Sequence, residues 1–275
     1  MSIKFKYFSV RPLLKNHIEK IWVLESSGKI PIEDLKIIVP NGRIKLIIPF
    51  RNGFYRLING SYEISKEQQI NFVGASDAVS IIDFDKDEPS GTIGIEFALS
   101  SAYKFFGFPQ NEVRNKMFSI EDVLGLLGKN VQDKIINCVT IEQKVELIQQ
   151  FLIKLISKSD NDNIFDYCID KIKSSTGRIT INQLEKETGY TRRRLHMKFQ
   201  EKIGISPKTL CSITRFTHVY QMLANNPDEV LLNKTFYNLY YDQAHFIKEF
   251  RRFTGLPPST FEKKINDFGK IFYKK

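Results

Sequence analysis

Two segments of the chain share one skeleton at a separation of 51 residues, and this repeat constrains the fold more than any other feature. They read "GYTRRRLHMKFQEKIGISPKTL" and "YYDQAHFIKEFRRFTGLPPSTF". In each, a capping residue is followed four positions later by an apolar residue and four further on by Phe, and a Gly then precedes a Pro by three positions. The matched pairs are Tyr190 and Tyr241, Thr191 and Asp242, Leu195 and Phe246, Phe199 and Phe250, Gly204 and Gly255, and Pro207 and Pro258. The spacing predicts two helix–turn–helix units, each ending in an amphipathic helix.

The helical repeat predicts which side chains of these two helices face outward. Because an α-helix turns by roughly 100° per residue, Leu195 and Phe199 lie on one side and define the buried face. In the second helix Phe246, Phe250 and Phe253 define it. The predicted outward residues are Arg193, Met197 and Gln200, flanked by Arg194 and His196, and, in the second copy, Ala244, Lys248 and Arg251, flanked by His245 and Arg252. Both stripes are basic and begin at a helix N-terminus, where the backbone favours phosphate.

Charge is distributed unevenly along the chain. The net charge is +10, and from Phe165 to the end there are 20 Lys and Arg against 11 Asp and Glu. Only 12 of the basic residues are Arg, yet five of these 12 fall in the two repeated segments. Since the planar Arg side chain suits phosphate and guanine edges, the pattern favours a nucleic-acid partner over a merely solubilising surface.

The first hundred residues predict short strands. Runs such as "IEKIWVLE", "IKLIIPF" and "TIGIEF" are rich in β-branched and aromatic residues and are separated by turn signals such as Asn59-Gly60. They predict a barrel or a two-sheet sandwich over residues 1–99, within an α+β chain. Helical patterns follow over 100–157, where "TIEQKVELIQQFLIKLIS" is either a dimerisation helix or a cover for the barrel.

The polar stretch 158–163 predicts a linker, and residues 164–275 predict an all-helical domain. A helix of about 18 residues beginning near Ser206-Pro207 would join the two units, and another is expected within "EVLLNKTFYNLYY". The joining helix would be about 27 Å long, close to one DNA turn of about 34 Å. Two outward helices held in this way could enter successive major grooves.

Several other classes of protein are disfavoured by the sequence. No apolar run is long enough for a membrane span, and the first residues lack the pattern of a secretion signal. The three cysteines, Cys138, Cys168 and Cys211, form no CxxC pair, which argues against disulfides or zinc and for reduced thiols in the cytoplasm. His17 is the only His before residue 196, so a His-rich metal site is not expected in the strand-rich part. We expect no cofactor and no enzymatic activity, since no familiar catalytic motif is present.

The C-terminal segments "ITINQLEKETGYTRRRLHMKFQEKIGISPKTL" and "DQAHFIKEFRRFTGLPPSTF" resemble the DNA-binding domain of AraC/XylS-type bacterial transcription regulators over roughly residues 165–268. The resemblance implies that 191–202 and 242–254 are recognition helices. It assigns DNA contacts to Arg192, Arg193, His196 and Met197 and to Gln243, Ala244 and Lys248. The full predicted set is Thr191, Arg192, Arg193, Arg194, His196, Met197, Gln200, Gln243, Ala244, His245, Lys248, Arg251 and Arg252.

Three positions depart from that family pattern. Glu185 stands where the family usually has Ala, Tyr240 where it usually has Gly, and Phe236 where it usually has a small residue. A side chain at a turn that often needs a positive φ is expected to be strained or to re-route the turn. Base contacts of the second unit are therefore the weaker expectation.

The N-terminal segments "VPNGRIKLIIPF", "FVGASDAVSIIDF" and "GTIGIEFALSSAYKFFGFP" resemble the cupin-like sensor region that precedes such domains. Aromatic residues inside the barrel could line an effector pocket, although core packing explains them at least as well. Candidates are Trp22, Phe50, Tyr55 and Phe72.

The sequence thus predicts a cytoplasmic regulator that binds double-stranded DNA and acts with RNA polymerase. Its N-terminal domain would sense a small molecule, dimerise, or do both. The alternative is a ligand-independent regulator whose N-terminal domain serves only dimerisation or partner contact. An RNA-binding or architectural protein is a third class, but the stacking aromatics and exposed wedges of such proteins are not evident.

Overall fold

The chain folds into a strand-rich N-terminal part followed by helices, which confirms the predicted α+β class. The computed structural model describes residues 3–156, 162–225 and 239–274. The strands within these ranges are β1 (Ile3–Phe8), β2 (Ile18–Ser26), β3 (Ile37–Ile38), β4 (Lys45–Arg51), β5 (Phe54–Ile58), β6 (Ser61–Ser65), β7 (Asn71–Val73), β8 (Ser80–Phe84), β9 (Gly91–Phe97) and β10 (Met117–Ser119).

These strands form two antiparallel sheets that face each other. The larger has the order β1-β2-β9-β4-β7-β10 and the smaller the order β3-β8-β5-β6. The cupin-like barrel predicted from the sequence therefore takes the form of two sheets rather than one closed cylinder. Strand β9 lies between β2 and β4, and its side chains are buried on both faces, as expected of a central strand.

Two strands, β6 and β10, were not predicted from the sequence. β6 has few apolar residues because it is an edge strand whose side chains are mostly exposed, although the Asn59-Gly60 turn before it was recognised. β10 lies in the region where helices were predicted, and it pairs with β7 at the edge of the larger sheet. A three-residue edge strand is too short for an alternating pattern to identify.

The helices in the described ranges follow the predicted caps closely. They are α1 (Ile120–Leu124), α2 (Leu126–Ile136), α3 (Ile141–Leu155), α4 (Asn163–Ser174), α5 (Ile181–Thr188), α6 (Arg192–Lys202), α7 (Pro207–Asn225), α8 (Gln243–Thr254), α9 (Pro258–Phe261) and α10 (Asp267–Lys270). Thr140 caps α3 and Thr180 caps α5, each in a capping box with a Gln three residues later. Most of the predicted linker, and the helix expected within 229–241 apart from its last residues, lie outside the described residues.

Helix α3 packs on the strand-rich part through Val145, Ile148 and Leu152, which are buried in the main core. Helix α3 therefore covers the strand-rich part, which is one of the two roles considered for it. A role in dimerisation stays a prediction.

The N- and C-terminal parts pack directly on each other, and most of their buried side chains belong to one contiguous core. A second, smaller cluster joins Trp22, Leu24 and Ile30 to Phe268. Gly204, which follows α6 with φ of +89°, lies so close to the N-terminal part that a Cβ there would be 2.5 Å from the Gln110 carbonyl oxygen. The Tyr273 hydroxyl donates to the Val39 carbonyl oxygen at 2.9 Å. No helix in the described part of the chain has both the length and the apolar character needed to cross a bilayer.

Candidate functional site

The first of the two repeated helices, α6, is fixed by its cap and by two buried side chains. The Thr191 side chain accepts a hydrogen bond from the Arg194 N–H at the start of the helix. Leu195 and Phe199 are almost fully buried, and the Phe199 ring packs edge-on against Phe165 of α4 at 5.1 Å. The buried face predicted from the helical repeat is therefore confirmed.

The opposite face of α6 is open to solvent. Arg193, His196 and Met197 are exposed, and Met197 retains 59% of its accessible surface although it is apolar. Gln200 is half-buried at the end of the same stripe. These four side chains form a short polar and basic surface. That they contact DNA stays a prediction.

Arg192 is held by the preceding helix. Its backbone N–H donates to the Glu185 carboxylate at 2.6 Å, and its guanidinium donates to the Asn182 side chain at 2.7 Å. Glu185, which stands where the resembled family usually has Ala, thus acts as a cap for α6 from α5. Since this carboxylate occupies the first N–H of the helix, a phosphate at this end must displace it or bind to the side chains alone.

Arg194 is stacked rather than free, because its guanidinium lies 3.9 Å from the centre of the Tyr190 ring. Tyr241, the counterpart of Tyr190 in the sequence repeat, is 95% exposed. The buried aromatic at this point of the second unit is instead Tyr240. The repeat therefore matches the helices but not the aromatic residues in front of them.

Helix α8, the second repeated helix, has the same design. Asp242 caps it by accepting from the His245 N–H at 2.7 Å, and Gly255 ends it in the left-handed conformation. Its inward side chains Phe246, Phe250 and Phe253 are buried as predicted. The exposed side chains are Gln243, Ala244, Ile247, Lys248, Arg251 and Arg252.

Tyr240 re-routes the turn before α8 without backbone strain, since it is not among the residues with a positive φ. It is buried, and its ring packs against Phe246 at 5.3 Å and beneath the Arg215 guanidinium at 5.2 Å. Burial raises the pKa of its hydroxyl. An aromatic core residue thus takes the place of the usual Gly. Phe236 lies outside the described residues.

A buried ion pair holds α8 against the connecting helix. Arg215 of α7 donates to both carboxylate oxygens of Glu249, at 2.8 and 3.3 Å, and also to the Gly177 carbonyl oxygen at 3.2 Å. His245, a predicted DNA contact, is half-buried, and its ring lies 3.6 Å from the same carboxylate. The Arg215 guanidinium therefore joins α7 to α8 and to the turn that follows α4.

Arg252 differs from its neighbours because it faces the N-terminal part. Its guanidinium lies 3.5 Å from the Asp77 carboxylate, in the loop between β7 and β8. Arg251 and Lys248 have no such ion pair among the described residues. In this conformation Arg252 contributes to the packing of the two parts of the chain.

A carboxylate before α4 anchors the far end of α6. Asp162 accepts from the Phe165 N–H at 3.1 Å, contacts the Lys198 ammonium, and lies 3.4 Å from the Lys202 nitrogen. Partial burial acts to raise the pKa of this carboxyl. The hydrogen bonds from Lys198 and Phe165 and the charge of Lys202 outweigh this effect and lower the pKa below its usual value.

A separate feature of the N-terminal part is an apolar cavity of about 120 Å³ between the two sheets. Trp22 and Ile47 line it from the larger sheet, and Phe54 and Ile82 line it from the smaller one. The C-terminal residues Phe268, Phe272 and Tyr273 form a further side.

Polar and charged residues also line this cavity, among them Lys45, Arg56 and Glu96. The Glu96 carboxylate is already engaged, since it accepts from Trp22 and Asn41 at 3.2 and 3.1 Å. The Arg56 guanidinium is buried and donates through Nε to Ser80 at 3.2 Å. Its Nη1 lies 3.4 Å from Glu63 without hydrogen-bond geometry, and neither Nη1 nor Nη2 donates to any of the described residues. The guanidinium is therefore ion-paired with Glu63 but retains N–H groups that could donate to an acceptor.

Of the four aromatic residues considered for an effector pocket, only Trp22 lines this cavity. Phe72 is a fully buried core residue, as the alternative of core packing implied. Sequence reasoning missed Arg56 and the three C-terminal residues. A strand pattern does not show that the Arg56 guanidinium is buried beside a cavity, and nothing in the local sequence places the end of the chain against the sheets.

No cluster of three or more metal-binding side chains occurs within the described ranges. Burial raises the pKa of the Cys168 and Cys211 thiols to about 11 each, so both are protonated at neutral pH and unreactive.

Comparison with known proteins gives a match for the C-terminal part. A family profile described as "Helix-turn-helix domain" matches residues 184–264. A search of curated protein sequences found no match. Among solved structures, a 1.65 Å structure of ToxT from Vibrio cholerae is 11% identical, with 95% of this chain and 98% of that chain covered and a TM-score of 0.49.

Two further solved structures are similar to the chain. ToxT from Vibrio cholerae O395 bound to (E)-4-(8-methylnaphthalen-1-yl)but-3-enoic acid is 12% identical, with 95% and 98% covered and a TM-score of 0.49. The cupin domain of an XRE family transcriptional regulator from Enterobacter cloacae is 11% identical. It covers 36% of this chain and 98% of its own, with a TM-score of 0.29.

Proposed function

We propose that the protein is a sequence-specific bacterial transcription regulator of the AraC type, because a helix–turn–helix profile matches residues 184–264 of its C-terminal part. The observation that carries the proposal is the pair of capped helices α6 and α8, each with one buried apolar face and one exposed basic face. Helix α7, of 19 residues, connects the two units and is about 28 Å long. This length is close to one DNA turn of about 34 Å, so the two exposed faces would enter successive major grooves.

The side chains of these faces would divide the work of recognition. Arg193, Met197 and Gln200 point away from the buried face of α6 and would meet base edges. Arg192 is held by Asn182 and Arg194 by the Tyr190 ring, and both flank the exposed face. At these positions they are suited to phosphate contacts. In α8 the corresponding base contacts would come from Gln243, Ala244 and Lys248, with Arg251 beside them.

The cavity between the two sheets would serve as an effector site. Its walls are mostly apolar, and the Arg56 guanidinium, whose Nη1 and Nη2 donate no hydrogen bond to the described residues, would donate one to an acceptor group of a small molecule. A sensor with this site would couple the concentration of a metabolite to transcription. The proposal assigns the protein a cytoplasmic location, contact with RNA polymerase, and no catalytic role.

The principal alternative is a regulator that binds DNA through the same surface but responds to no small molecule. In it the N-terminal part serves only to pair two chains or to contact a partner. The exposed apolar side chains Leu126 and Leu127 of α2 favour a contact of this kind, since they retain 78% and 58% of their accessible surface.

Selection of DNA duplexes from a randomised library by the purified full chain tests the proposal. The expected result is the enrichment of one sequence motif, with binding that weakens steeply as salt concentration rises because phosphate contacts release counterions. Failure to enrich any motif at low salt would contradict it.

Repeating the selection with cell metabolites separates the two versions of the proposal. A sensor gives a motif affinity that depends on the metabolites, whereas the ligand-independent version gives the same affinity with and without them. Light scattering on the same samples reports whether the chain pairs.

A further inference from the structure

The C-terminal segment 265–274 returns from the DNA-binding domain and lies along the N-terminal part. The Leu35 N–H donates to the Ile265 carbonyl oxygen at 2.9 Å. The fully buried Asn266 side chain accepts from the Ile37 N–H at 2.8 Å and donates to the Ile37 carbonyl oxygen at 3.1 Å. It thereby pairs with β3 as another strand would. The Phe268 N–H adds a bond to the Asp34 carboxylate at 2.9 Å.

The backbone of this segment approaches β3 so closely that one position has no room for a side chain. A Cβ at Gly269 would lie 1.9 Å from the Ile37 carbonyl oxygen. The segment is therefore seated against β3 by hydrogen bonds and by the absence of a side chain.

The aromatic side chains of the segment form one side of the cavity. The Phe272 ring packs edge-on against Trp22 at 4.9 Å and against Phe5 at 5.6 Å. The Phe268 ring packs against Phe84 of the smaller sheet at 5.7 Å. These two rings therefore bridge the larger and the smaller sheet.

The same segment also holds the end of α7. The Asn266 side chain donates to the Tyr220 hydroxyl at 3.0 Å, and the rings of Tyr220 and Tyr273 pack edge-on at 5.1 Å. Asn225, the last described residue of α7, donates to the Tyr273 carbonyl oxygen at 3.1 Å. Along the chain, α7 leads to the second helix–turn–helix unit. One short segment thus touches both the cavity and the connecting helix.

The cavity is smaller than a site for a metabolite. A cavity of about 120 Å³ holds a group no larger than one small ring, whereas sites for metabolite-sized ligands occupy roughly 300–1,000 Å³. The strands around the cavity are held by continuous ladders, whereas the segment is held by separate hydrogen bonds of Asn266, Phe268 and Tyr273 and by its aromatic rings. It is therefore the wall that can move without breaking a strand ladder.

We propose that residues 265–274 form a lid over the cavity, and that a small molecule enters by displacing Phe268 and Phe272 and so releases the end of α7. The inference rests on the proposed effector site and specifies its regulation. Binding at the cavity and docking of the lid exclude each other, which couples the N-terminal part to the DNA-binding domain by population shift.

Hydrogen exchange of the full chain with and without 8-anilino-1-naphthalenesulfonate tests the lid. This probe carries two aromatic groups and an acceptor sulfonate, and it is larger than the cavity of about 120 Å³. On binding, the amides of Leu35, Ile37 and Phe268 should exchange at least tenfold faster. The Leu35 and Ile37 amides donate to Ile265 and Asn266 of the lid, and the Phe268 amide belongs to the lid and donates to Asp34, so displacement of the lid breaks all three bonds. Probe binding without faster exchange at these amides would overturn the proposal.

Two variants test the same mechanism from the side of the lid. Phe272→Ala removes a ring from the cavity wall, and Gly269→Ala adds a Cβ that cannot fit against Ile37. Each should bind the probe about tenfold more tightly than the wild type. The matched control is Lys264→Ala, an exposed position just before the lid. If both variants bind the probe no better than this control, or if none of the proteins binds it, the lid is wrong.

The library selection described above is carried out on the same preparations, so that the two proposals fail separately. A chain that shows the lid response but selects no DNA motif contradicts only the proposed function. A chain that selects a motif without the lid response contradicts only the lid.

Discussion

Three adjacent arginines at the start of α6 have three different environments. Arg192 is bound by Glu185 and Asn182, Arg194 lies on the Tyr190 ring, and Arg193 projects from the exposed face between them. Because all three side chains carry the same charge, the sequence alone does not show this difference. The helical repeat correctly predicted which of them points directly away from the core, but it could not predict the partners, which come from α5 and from the loop before α6.

Replacing Arg193 should reduce sequence-selective binding. Arg193→Ala should cost about 1–3 kcal/mol on the selected motif and much less on random duplex, since a base contact is lost. Gel-shift titrations on both duplexes measure this. Arg194→Ala is the matched control, and it should weaken binding to both duplexes equally because phosphates carry no sequence information. Equal losses for Arg193→Ala would show that it too contacts only phosphate.

Asp162 should make stability depend on pH. Because its pKa is lowered in the folded chain, its contribution is present above the usual range of an Asp carboxyl and disappears as pH falls through the folded-state value. Asp162→Asn should therefore lower the free energy of unfolding by about 1–2 kcal/mol near neutral pH, with a difference that shrinks in acid.

Urea unfolding at about pH 7 and about pH 3 measures the effect of Asp162. The control Asp170→Asn changes an exposed carboxyl on the same helix and should have little effect at either pH. A loss for Asp162→Asn that is the same at both pH values would mean that its charge is not what stabilises the fold.

The two repeated helices, α6 and α8, are built alike and anchored differently. Helix α6 is held by Asp162 and by Phe165, whereas α8 is held by the Arg215–Glu249 pair and by Tyr240. The caps and buried faces of both helices could be predicted because they depend on residues three and four positions apart. The anchors could not, because they depend on contacts between segments that are distant in the sequence.

The Arg215–Glu249 pair should be essential to the position of α8. Glu249→Ala leaves a buried guanidinium without its carboxylate, which should destabilise the chain by about 3 kcal/mol in thermal or urea unfolding. The double variant Arg215→Met/Glu249→Leu should recover much of this loss, since no unpaired charge remains. Glu201→Ala, at an exposed position on α6, serves as the control. A loss for Glu249→Ala no larger than for this control would mean that the pair does not hold α8.

At the scale of the whole molecule, the two parts of the chain share one core, and this could not be read from the sequence. Composition correctly indicated strands followed by helices, because each segment carries its own periodicity. It could not show that Arg252 pairs with Asp77 or that Phe272 packs on Trp22, since neither contact leaves a local pattern. A pocket beside Trp22 was considered from the sequence, but its C-terminal wall was missed for the same reason, since the lining residues come from both ends of the chain.

The proposed function requires α6 and α8 to read DNA together, in successive major grooves. Hydroxyl-radical footprinting of the full chain on its selected duplex tests this most directly. We predict two protected patches on one face of the DNA, with centres about 10 base pairs apart, and the loss of only one patch in Arg193→Ala. A single patch, or uniform protection along the duplex, would contradict the account.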